Sequence, residues 1–326
     1  MPDGLSQVAT DIYQVRLPLP FELRIVNCYI LKDGTGWTII DTGLNYPPSH
    51  AMWNMTFAEL GIQPEGLNRI ILTHAHPDHY GMAGWFAETY DIPILLSSLE
   101  QYFAQHAWID STYTDDAFIT FFGRHGLPDD LAVQIQKDMA GLRAMIKTAE
   151  KVTLLEPDAH IRIGQRDFQT HVSRGHSDGH LVFHCAEERL LLCGDAVLSK
   201  ITPNIGIWPL SRENPLEDFL QSLEYLAMLP VDLALTGHGP VITAFADRLN
   251  ELHVHHEERL HLLETAITKE THAFEAAHSL FDIERLSSHQ KRFALAETLA
   301  HLEYLARLGR LERIEQHEHI RYRRAA

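Results

Sequence analysis

Apolar runs of strand length alternate with a helical pattern in the part of the chain that precedes residue 99. Residues 12–17 alternate apolar and polar side chains, as a half-buried strand does. Other apolar runs bounded by turn-forming residues are strand candidates, at 27–31, 37–40, 69–73 and 92–97. With a helix predicted from about residue 81 to 90, this region favours a mixed sheet covered by helices.

Strand-length runs return after residue 150. The candidates are 152–155, 168–172, 181–185, 190–193 and 233–236. A helix is predicted between the last two, from about 215 to 228. The two series of strands together predict an α+β domain over residues 1–250.

Residues 99–150 interrupt the two series and predict a helical insertion. Apolar residues at +4, +4, +3 and +4 mark one face of a long amphipathic helix: Leu131, Ile135, Met139, Leu142 and Ile146. The stretch before that helix is rich in aromatic residues: Tyr102, Phe103, Trp108, Tyr113, Phe118, Phe121 and Phe122. Two interpretations are compatible: an insertion that packs its own aromatics, and a cap that supplies an apolar pocket wall.

The tail, residues 251–326, is predicted to be a small winged-helix domain. A helix over 288–308 carries one apolar stripe and is followed by Gly309, which favours a left-handed helix end. Two short strand-like pieces, 311–314 and 320–322, then form a hairpin. Lys291 and Arg292 are balanced by acidic residues on the same helix. We therefore predict a packing or dimerisation module, compatible with a homodimer, that shapes the substrate entrance.

Charge and composition narrow the function classes. The net charge is −17, and almost all of it precedes residue 253, because residues 253–326 hold 11 Lys and Arg against 12 Asp and Glu. Such an acidic surface argues against a nucleic-acid partner. The cysteines, Cys28, Cys185 and Cys193, are odd in number and include no CxxC, so neither a disulfide framework nor a thiolate zinc site is expected. No apolar run approaches a membrane span and no secretory signal is recognisable, so we expect a cytoplasmic protein without a membrane partner.

The strongest chemical signal follows the strand candidate 69–73. The sequence His74-Ala75-His76-Pro77-Asp78-His79 places four metal-binding side chains within six residues. His74 and His76 can reach one metal if the backbone stays extended, whereas Asp78 and His79 need a turn that aims them at a second position. Imidazole and carboxylate ligands together suit zinc, iron or manganese.

Three further candidates also follow predicted strands, and each is preceded by glycine: His176, Asp195 and His238. Glycine lets the backbone approach closely and adopt positive φ. His180 is a weaker candidate, for which a structural role is favoured. The cluster His253, His255 and His256 is interpreted as a solvated helix face or an interdomain contact.

These motifs resemble those of the metallo-β-lactamase fold superfamily. Its five landmarks occur in order, as Asp41-Thr42-Gly43, the cluster at 74–79, His176, Asp195 and His238, and the resemblance covers about residues 8–245. It implies a four-layer αββα sandwich. It also implies that one metal is bound by His74, His76 and His176, that a second is bound by Asp78, His79 and His238, and that Asp195 bridges the two. Asp41 would accept a hydrogen bond from a ligand imidazole.

Such a site predicts hydrolysis. A hydroxide shared by two divalent ions, zinc in the first place, would attack a carbonyl, with Asp78 and Asp195 as the catalytic carboxylates and Asp78 passing a proton to the leaving group. The substrate is expected to be a small ester, thioester or lactone, and the nearest types within the resemblance are glyoxalase II-like thioesterases and lactonases. One alternative is an endoribonuclease, because a winged-helix branch of the superfamily cleaves RNA. A non-catalytic binding module is disfavoured, because all seven ligand positions are filled.

Overall fold

The computed structural model describes residues 1, 3–110, 115–316 and 318–325. Tyr113, one of the aromatic residues of the insertion, lies outside these ranges. Over the described residues the strands form a seven-stranded, a five-stranded and a two-stranded sheet. No helix in these ranges combines the length and the apolar content that crossing a membrane requires.

The seven-stranded sheet keeps the order of the chain. Its strands are β1 (Leu5–Ala9), β2 (Ile12–Pro18), β3 (Ile25–Asp33), β4 (Gly36–Ile40), β5 (Leu67–Ile71), β6 (Ile94–Leu96) and β7 (Thr153–Leu154). The first four pair antiparallel, and β4 to β7 pair parallel. Parallel neighbours need long crossover connections, and helices occupy those connections here.

The five-stranded sheet comes from the second series of predicted strands. It contains β8 (His160–Ile163), β9 (Arg166–Val172), β10 (Leu181–Cys185), β11 (Leu190–Gly194) and β12 (Leu233–Thr236), in the order β12-β11-β10-β9-β8. Its pairs are antiparallel except for β11 and β12, which are parallel.

The two large sheets pack face to face. Side chains of a strand point alternately to opposite faces. On β3, Tyr29 and Leu31 join a buried cluster that also holds Phe183 and Leu192 of the second sheet. The alternate residues Cys28 and Ile30 join the cluster in which the helices pack. Both faces of β3 are therefore buried, and the predicted four-layer αββα arrangement is confirmed.

Ten α-helices lie in the described residues. They are α1 (Pro47–Leu60), α2 (Pro77–Tyr80), α3 (Ala83–Tyr90), α4 (Ser98–Ala104), α5 (Asp115–Arg124), α6 (Asp129–Arg143), α7 (Pro215–Leu226), α8 (Phe245–Ala266), α9 (Ala273–Ala277) and α10 (Ser288–Arg307). A π-helical turn, Gln105–Ile109, continues α4, and short 3-10 turns occupy Pro64–Gly66 and Ile283–Arg285. The insertion is helical, as predicted.

The tail consists of helices followed by the hairpin β13 (Leu311–Gln316) and β14 (His319–Arg324). Helix α10 contacts α6 of the insertion as well as α7, α8 and α9. The predicted domain boundary at 250/251 falls inside α8, which continues through it. The boundary and the winged-helix assignment stay predictions.

Candidate metal centre

Five loops that follow strands meet at one edge of the sandwich. Asp41 follows β4, the cluster at 74–79 follows β5, His176 follows β9, Asp195 follows β11, and His238 follows β12. Pro77 begins α2, with His76 as the extended residue before the helix. A proline is well suited to the first turn of a helix. The extended part thus carries His74 and His76, and the helical turn carries Asp78 and His79. The turn predicted to aim Asp78 and His79 at a second position is therefore the start of α2.

The structure brings three histidines together in what we call the first trio: His74, His76 and His176. His74 Nε2 lies 3.0 Å from His76 Nδ1, which lies 2.9 Å from His176 Nε2. The other nitrogen of two of these rings is engaged elsewhere. His74 Nδ1 lies 2.9 Å from Thr73 Oγ1, and His176 Nδ1 donates to the backbone oxygen of Asn204 at 3.0 Å. One nitrogen of each ring is therefore directed at a common point.

A second trio consists of Asp78, His79 and His238. His238 Nε2 lies 3.3 Å from Asp78 Oδ2, and its Nδ1 donates to the backbone oxygen of Ile25 at 2.7 Å. His79 Nδ1 donates to Asp41 Oδ2 at 2.8 Å. Both imidazoles thus direct Nε2 into the site, because the bond made by Nδ1 fixes the tautomer.

Asp195 lies between the two trios. Its Oδ1 is 3.3 Å from His79 Nε2, and its Oδ2 is 3.3 Å from His238 Nε2 and 3.6 Å from His176 Nε2. The seven predicted ligands are thus all gathered at one place. Their assignment to individual metal ions stays a prediction.

Two buried atoms test whether the site suits a cation. His79 Nε2 and Asp195 Oδ1 are both shielded from solvent and make no hydrogen bond within the described residues. Buried polar atoms normally have partners, and a cation between them would serve as one. The donor set of imidazole nitrogens and carboxylate oxygens is also one that zinc, iron and manganese accept. The residues therefore fit a metal ion.

The electrostatics of the site favour positive charge between the trios. Burial lowers the pKa of His76 to about 3, and it lowers the pKa of His74 as well. The first trio is therefore made of neutral imidazoles, the form that binds metals. Burial also opposes protonation of His238, but the carboxylates of Asp195 and Asp78 outweigh it and raise the pKa to about 10. The pair of carboxylates thus attracts a proton or a metal cation to this position.

Asp41 supports the second trio from behind. Its backbone has φ of 60°, a left-handed conformation that Asp and Asn tolerate better than most residues. Its carboxylate accepts hydrogen bonds from the backbone nitrogen of Thr73 at 2.8 Å and from the Thr73 hydroxyl at 2.9 Å, as well as from His79. The predicted contact with a ligand imidazole is present.

Glu100, on α4 of the insertion, joins two metal-binding loops and was not predicted from the sequence. It is buried, and Oε2 accepts from the backbone nitrogen of Ala75 at 2.8 Å. Oε1 accepts from the Ser177 hydroxyl at 2.7 Å and from the Gly179 nitrogen at 2.8 Å. A capping pattern, Ser97 followed by Glu100 at the third helical position, was the available signal.

His180 is not among the gathered ligands. Its Nε2 accepts a hydrogen bond from the backbone nitrogen of Asp195 at 3.1 Å. Gly194, with φ of 46°, allows this approach, because an added Cβ would lie 2.9 Å from His180 Nε2. His180 therefore supports the loop that carries Asp195, which agrees with the structural role favoured from the sequence.

A cavity of about 540 Å³ opens above the site. Ligand side chains form its floor: His76, Asp78, His176, Asp195 and His238. Its walls are mainly apolar and come from four parts of the chain: Leu19 and Phe21 from the loop after β2, Phe103, Trp108, Phe118, Met139 and Leu142 from the insertion, Leu198, Ile201 and Trp208 from the loop after β11, and Phe293 from α10. Phe118 and Phe122 also pack in the main core. The described part of the insertion therefore both packs its own aromatic residues into the core and supplies an apolar wall of the cavity.

Comparison with protein families decides the classification. The model of the metallo-β-lactamase superfamily matches residues 22–238, and that of a metallo-β-lactamase-like C-terminal domain matches residues 260–325. The chain belongs to the metallo-β-lactamase superfamily. The proposed ligands all lie within the first match, and most of the tail lies within the second.

Individual members of the superfamily agree with this. A metallo-β-lactamase family protein from Thermus thermophilus, TTHA1429, has a solved structure with 33% identity and a TM-score of 0.88, covering 98% of this chain and 100% of that one. The probable metallo-hydrolase YqjP of Bacillus subtilis is 26% identical over 72% of this chain and 73% of its own length. An atrochrysone carboxyl ACP thioesterase of Aspergillus fumigatus is 23% identical over 72% of this chain and 57% of its own length. The chain is thus a metallo-hydrolase by family.

Proposed function

We propose that this metallo-hydrolase uses two divalent metal ions to cleave a small ester, thioester or lactone with an apolar acyl part. The observation that supports the proposal most directly is the cavity, in which an apolar wall stands over a floor of metal-binding side chains. Ligand pockets of this size, mostly apolar with a few converging polar groups, are typical of small-molecule sites. Zinc is our first choice of metal, and iron and manganese are alternatives with the same donor set.

In the proposed reaction the metal ions, Asp195 and Asp78 have different roles. Bound divalent ions supply a hydroxide nucleophile near neutral pH and polarise the substrate carbonyl. Asp195 keeps the two trios in register, because its two oxygens face His79 on one side and His176 and His238 on the other. Asp78 lies on the cavity floor, where neighbouring His79 and His238 lower its pKa despite burial. Its carboxylate is therefore ionised, and in this proposal it receives a proton and passes it to the leaving group.

Wall composition and charge support an acyl substrate over a nucleic acid. The aromatic and aliphatic side chains of the insertion and of α10 would bury an acyl chain, whereas RNA needs a basic groove that tracks its phosphates. The net charge of −17 opposes such a groove. The thioesterase among the relatives acts, by its name, on a carboxyl ACP thioester. That relative supports a thioester as one member of the proposed substrate class.

A substrate panel tests the proposal. The zinc-loaded protein is assayed with p-nitrophenyl esters, acyl thioesters and lactones of increasing acyl length. Each methylene buried in the cavity contributes about 0.8 kcal/mol. We therefore expect kcat/KM to rise up to about fourfold per methylene until the cavity is filled. Asp195→Asn, which keeps the side-chain size but removes a charge from the site, is expected to abolish turnover.

The same panel contains the results that would contradict the proposal. It includes single-stranded RNA and an aryl phosphodiester, assayed at several salt concentrations. Absence of turnover on all three acyl classes would refute it. RNA cleavage with a steep salt dependence would instead support the endoribonuclease alternative.

A further inference from the structure

We infer that Glu297, a buried carboxylate on α10 in the tail, is a positioning residue for the first trio. Its side chain holds Asn204, and the backbone oxygen of Asn204 fixes the ring of His176. Glu297 Oε2 accepts from Asn204 Nδ2 at 3.0 Å, and Asn204 O accepts from His176 Nδ1 at 3.0 Å. The inference rests on metal binding by the first trio and is independent of which acyl bond is cleaved.

The loop that contains Asn204 lies directly against α10. Asn204 Nδ2 also donates to the backbone oxygen of Phe293 at 3.3 Å, and the nitrogen of Ile207 donates to the backbone oxygen of Ala296 at 3.1 Å. Between them, a Cβ added at Gly206 would lie 2.9 Å from the Cβ of Ala296. Together with the hydrogen bond to Glu297, these three contacts set the position of the loop by the position of α10, and Glu297 is the one charged group among the four.

Burying the carboxylate of Glu297 is energetically unfavourable. Only 5% of it is exposed, and burial raises its pKa. Its Oε1 faces Arg259 Nη1 of α8 at 3.0 Å. A buried ion pair often stabilises a fold no better than well-packed apolar residues, so its presence is weak evidence for a purely stabilising role. Placing an acceptor for Asn204 is a task that an apolar side chain in the same volume cannot perform.

His176 depends on this support because few polar contacts hold its ring. Nδ1 has the Asn204 oxygen as its partner, while Nε2 is directed at His76 and Asp195. The preceding Gly175 has φ of 117°, so its backbone is one that other residues rarely adopt. Partners that orient a ligand imidazole commonly alter metal affinity by about 10- to 100-fold when removed. Loosening Asn204 should therefore weaken the first trio and leave the second trio intact.

The test measures metal binding rather than turnover. Metal-free protein is titrated with Co²⁺, and the visible absorption and a competing chelator report the affinity of each bound equivalent. Glu297→Gln leaves one side-chain oxygen for both Asn204 and Arg259, so we expect about tenfold weaker binding of one equivalent. Asn204→Asp brings two carboxylates together and is also expected to weaken it.

The double variant Asn204→Asp/Glu297→Gln reverses the hydrogen bond, because the amide introduced at position 297 can then donate to the carboxylate introduced at position 204. We expect the affinity lost in the double variant to be smaller than the sum of the two single losses, a coupling that a direct contact produces. Recovery should be partial, because the carboxylate at position 204 cannot donate to the backbone oxygen of Phe293. Glu303→Gln is the matched control. Glu303 is on the same helix and accepts from Arg313 at 3.0 Å and from the Tyr322 hydroxyl at 2.6 Å, away from the 204–207 loop.

Three results would overturn the inference. They are an unchanged Co²⁺ affinity in Glu297→Gln, a loss of equal size in Glu303→Gln, and a loss in the double variant that equals or exceeds the sum of the two single losses. Thermal unfolding of each metal-free variant is measured in parallel. A loss of affinity that follows the loss of stability across all variants would also count against positioning. The acyl-substrate proposal is tested by turnover and the positioning inference by Co²⁺ affinity. Failure of one can therefore be distinguished from failure of the other.

Discussion

The two trios of the metal centre are supported by different parts of the molecule. Behind the second trio stand residues of the first sheet and its loops, since Asp41 holds His79 and the backbone of Ile25 holds His238. Behind the first trio stand the insertion and the loop that α10 supports. Glu100 holds the Ala75 nitrogen, and Asn204 holds His176.

The two trios therefore differ in which elements of the fold hold them. The second trio is fixed by the sandwich itself, whose core residues are close to fully buried. The first trio is supported by the insertion and by the loop that α10 holds, and both the insertion and α10 also contribute side chains to the cavity wall. A change in those segments is therefore expected to affect both the cavity wall and the first trio.

The largest effect is expected from Gly237→Ala, because the added methyl group would clash with Asp195 and with His79 of the second trio. An added Cβ at this position would lie 2.0 Å from Asp195 Oδ1 and 2.8 Å from His79 Cε1. The carboxylate must move by about an ångström, and displacements of that size cost on the order of 10²-fold in rate. We expect kcat/KM to fall by about that factor or more, and the metal of the second trio to bind more weakly than that of the first.

Gly141→Ala is the control for this variant. Gly141 lies within α6, and an added Cβ there would meet nothing within 4 Å. Alanine in a helix interior is favoured over glycine by up to about 1 kcal/mol, so stability should rise slightly and activity should not change. An equal loss of metal affinity at both trios in Gly237→Ala would show that the trios are not independent. It would contradict the proposed difference in how they are supported.

The sequence was sufficient to name the seven residues that the structure gathers, because candidate ligands at strand ends combine a short-range pattern with rare residue types. His74 to His79, His176, Asp195 and His238 all follow recognisable apolar runs. Helix α1 was missed for a physical reason: its buried face includes Ser49 and Thr56 beside Trp53, so the apolar stripe is weak. Pro47 at its start and Gly61 at its end, with φ of 65°, were the signals available.

The supporting residues could not be found in the same way. Glu100 meets Gly179 across 79 positions of the chain, and Asn204 meets Glu297 across 93. The capping pattern at Ser97 places Glu100 at a helix start but does not indicate its partners. Neither contact could be predicted, because from sequence a glutamate on a helix is expected to be exposed. Asp41 was found through the superfamily motif. What the sequence alone lacked was therefore the long-range support of the first trio.

An intermediate effect is expected from Asp41→Asn, which removes the charge behind His79. Asparagine tolerates the left-handed conformation at φ of 60° as aspartate does, so the backbone should be unchanged. The amide cannot accept from Thr73 and His79 with both of its polar atoms, and loss of such a partner costs about 10- to 100-fold in metal affinity. Co²⁺ titration should show this loss for the second trio alone.

Asp91→Asn serves as the control for the Asp41 variant. Asp91 also has positive φ, at 51°, but it is exposed at the end of α3 and has no contact with the metal centre. Its replacement should leave both affinities unchanged. A weakened first trio in Asp41→Asn would mean that Thr73, which contacts both Asp41 and His74, transmits the change from one trio to the other.

The smallest effect concerns pH and contrasts His301 of α10 with His238 of the metal centre. His301 is fully buried, donates from Nδ1 to the backbone oxygen of Glu297 at 2.7 Å, and pairs with His256 at 3.0 Å. Burial lowers its pKa from 6.5 to about 4. Its stabilising contribution is therefore complete above pH 6.5 and is lost as the pH falls toward 4, by about 2 kcal/mol at pH 5.

His238 has the opposite sign in metal-free protein, because its raised pKa makes its contribution complete below pH 6.5. The difference between parent and His301→Gln isolates the effect at α10, since glutamine keeps a hydrogen-bonding side chain but does not titrate. Between about pH 7 and pH 5 the parent should lose about 2 kcal/mol more in the free energy of unfolding than the variant, measured in urea without metal. Parallel pH curves for the two proteins would mean that His301 is not held neutral. The hydrogen bonds from Glu297 to Asn204 and from Asn204 to His176 would be unaffected by that result.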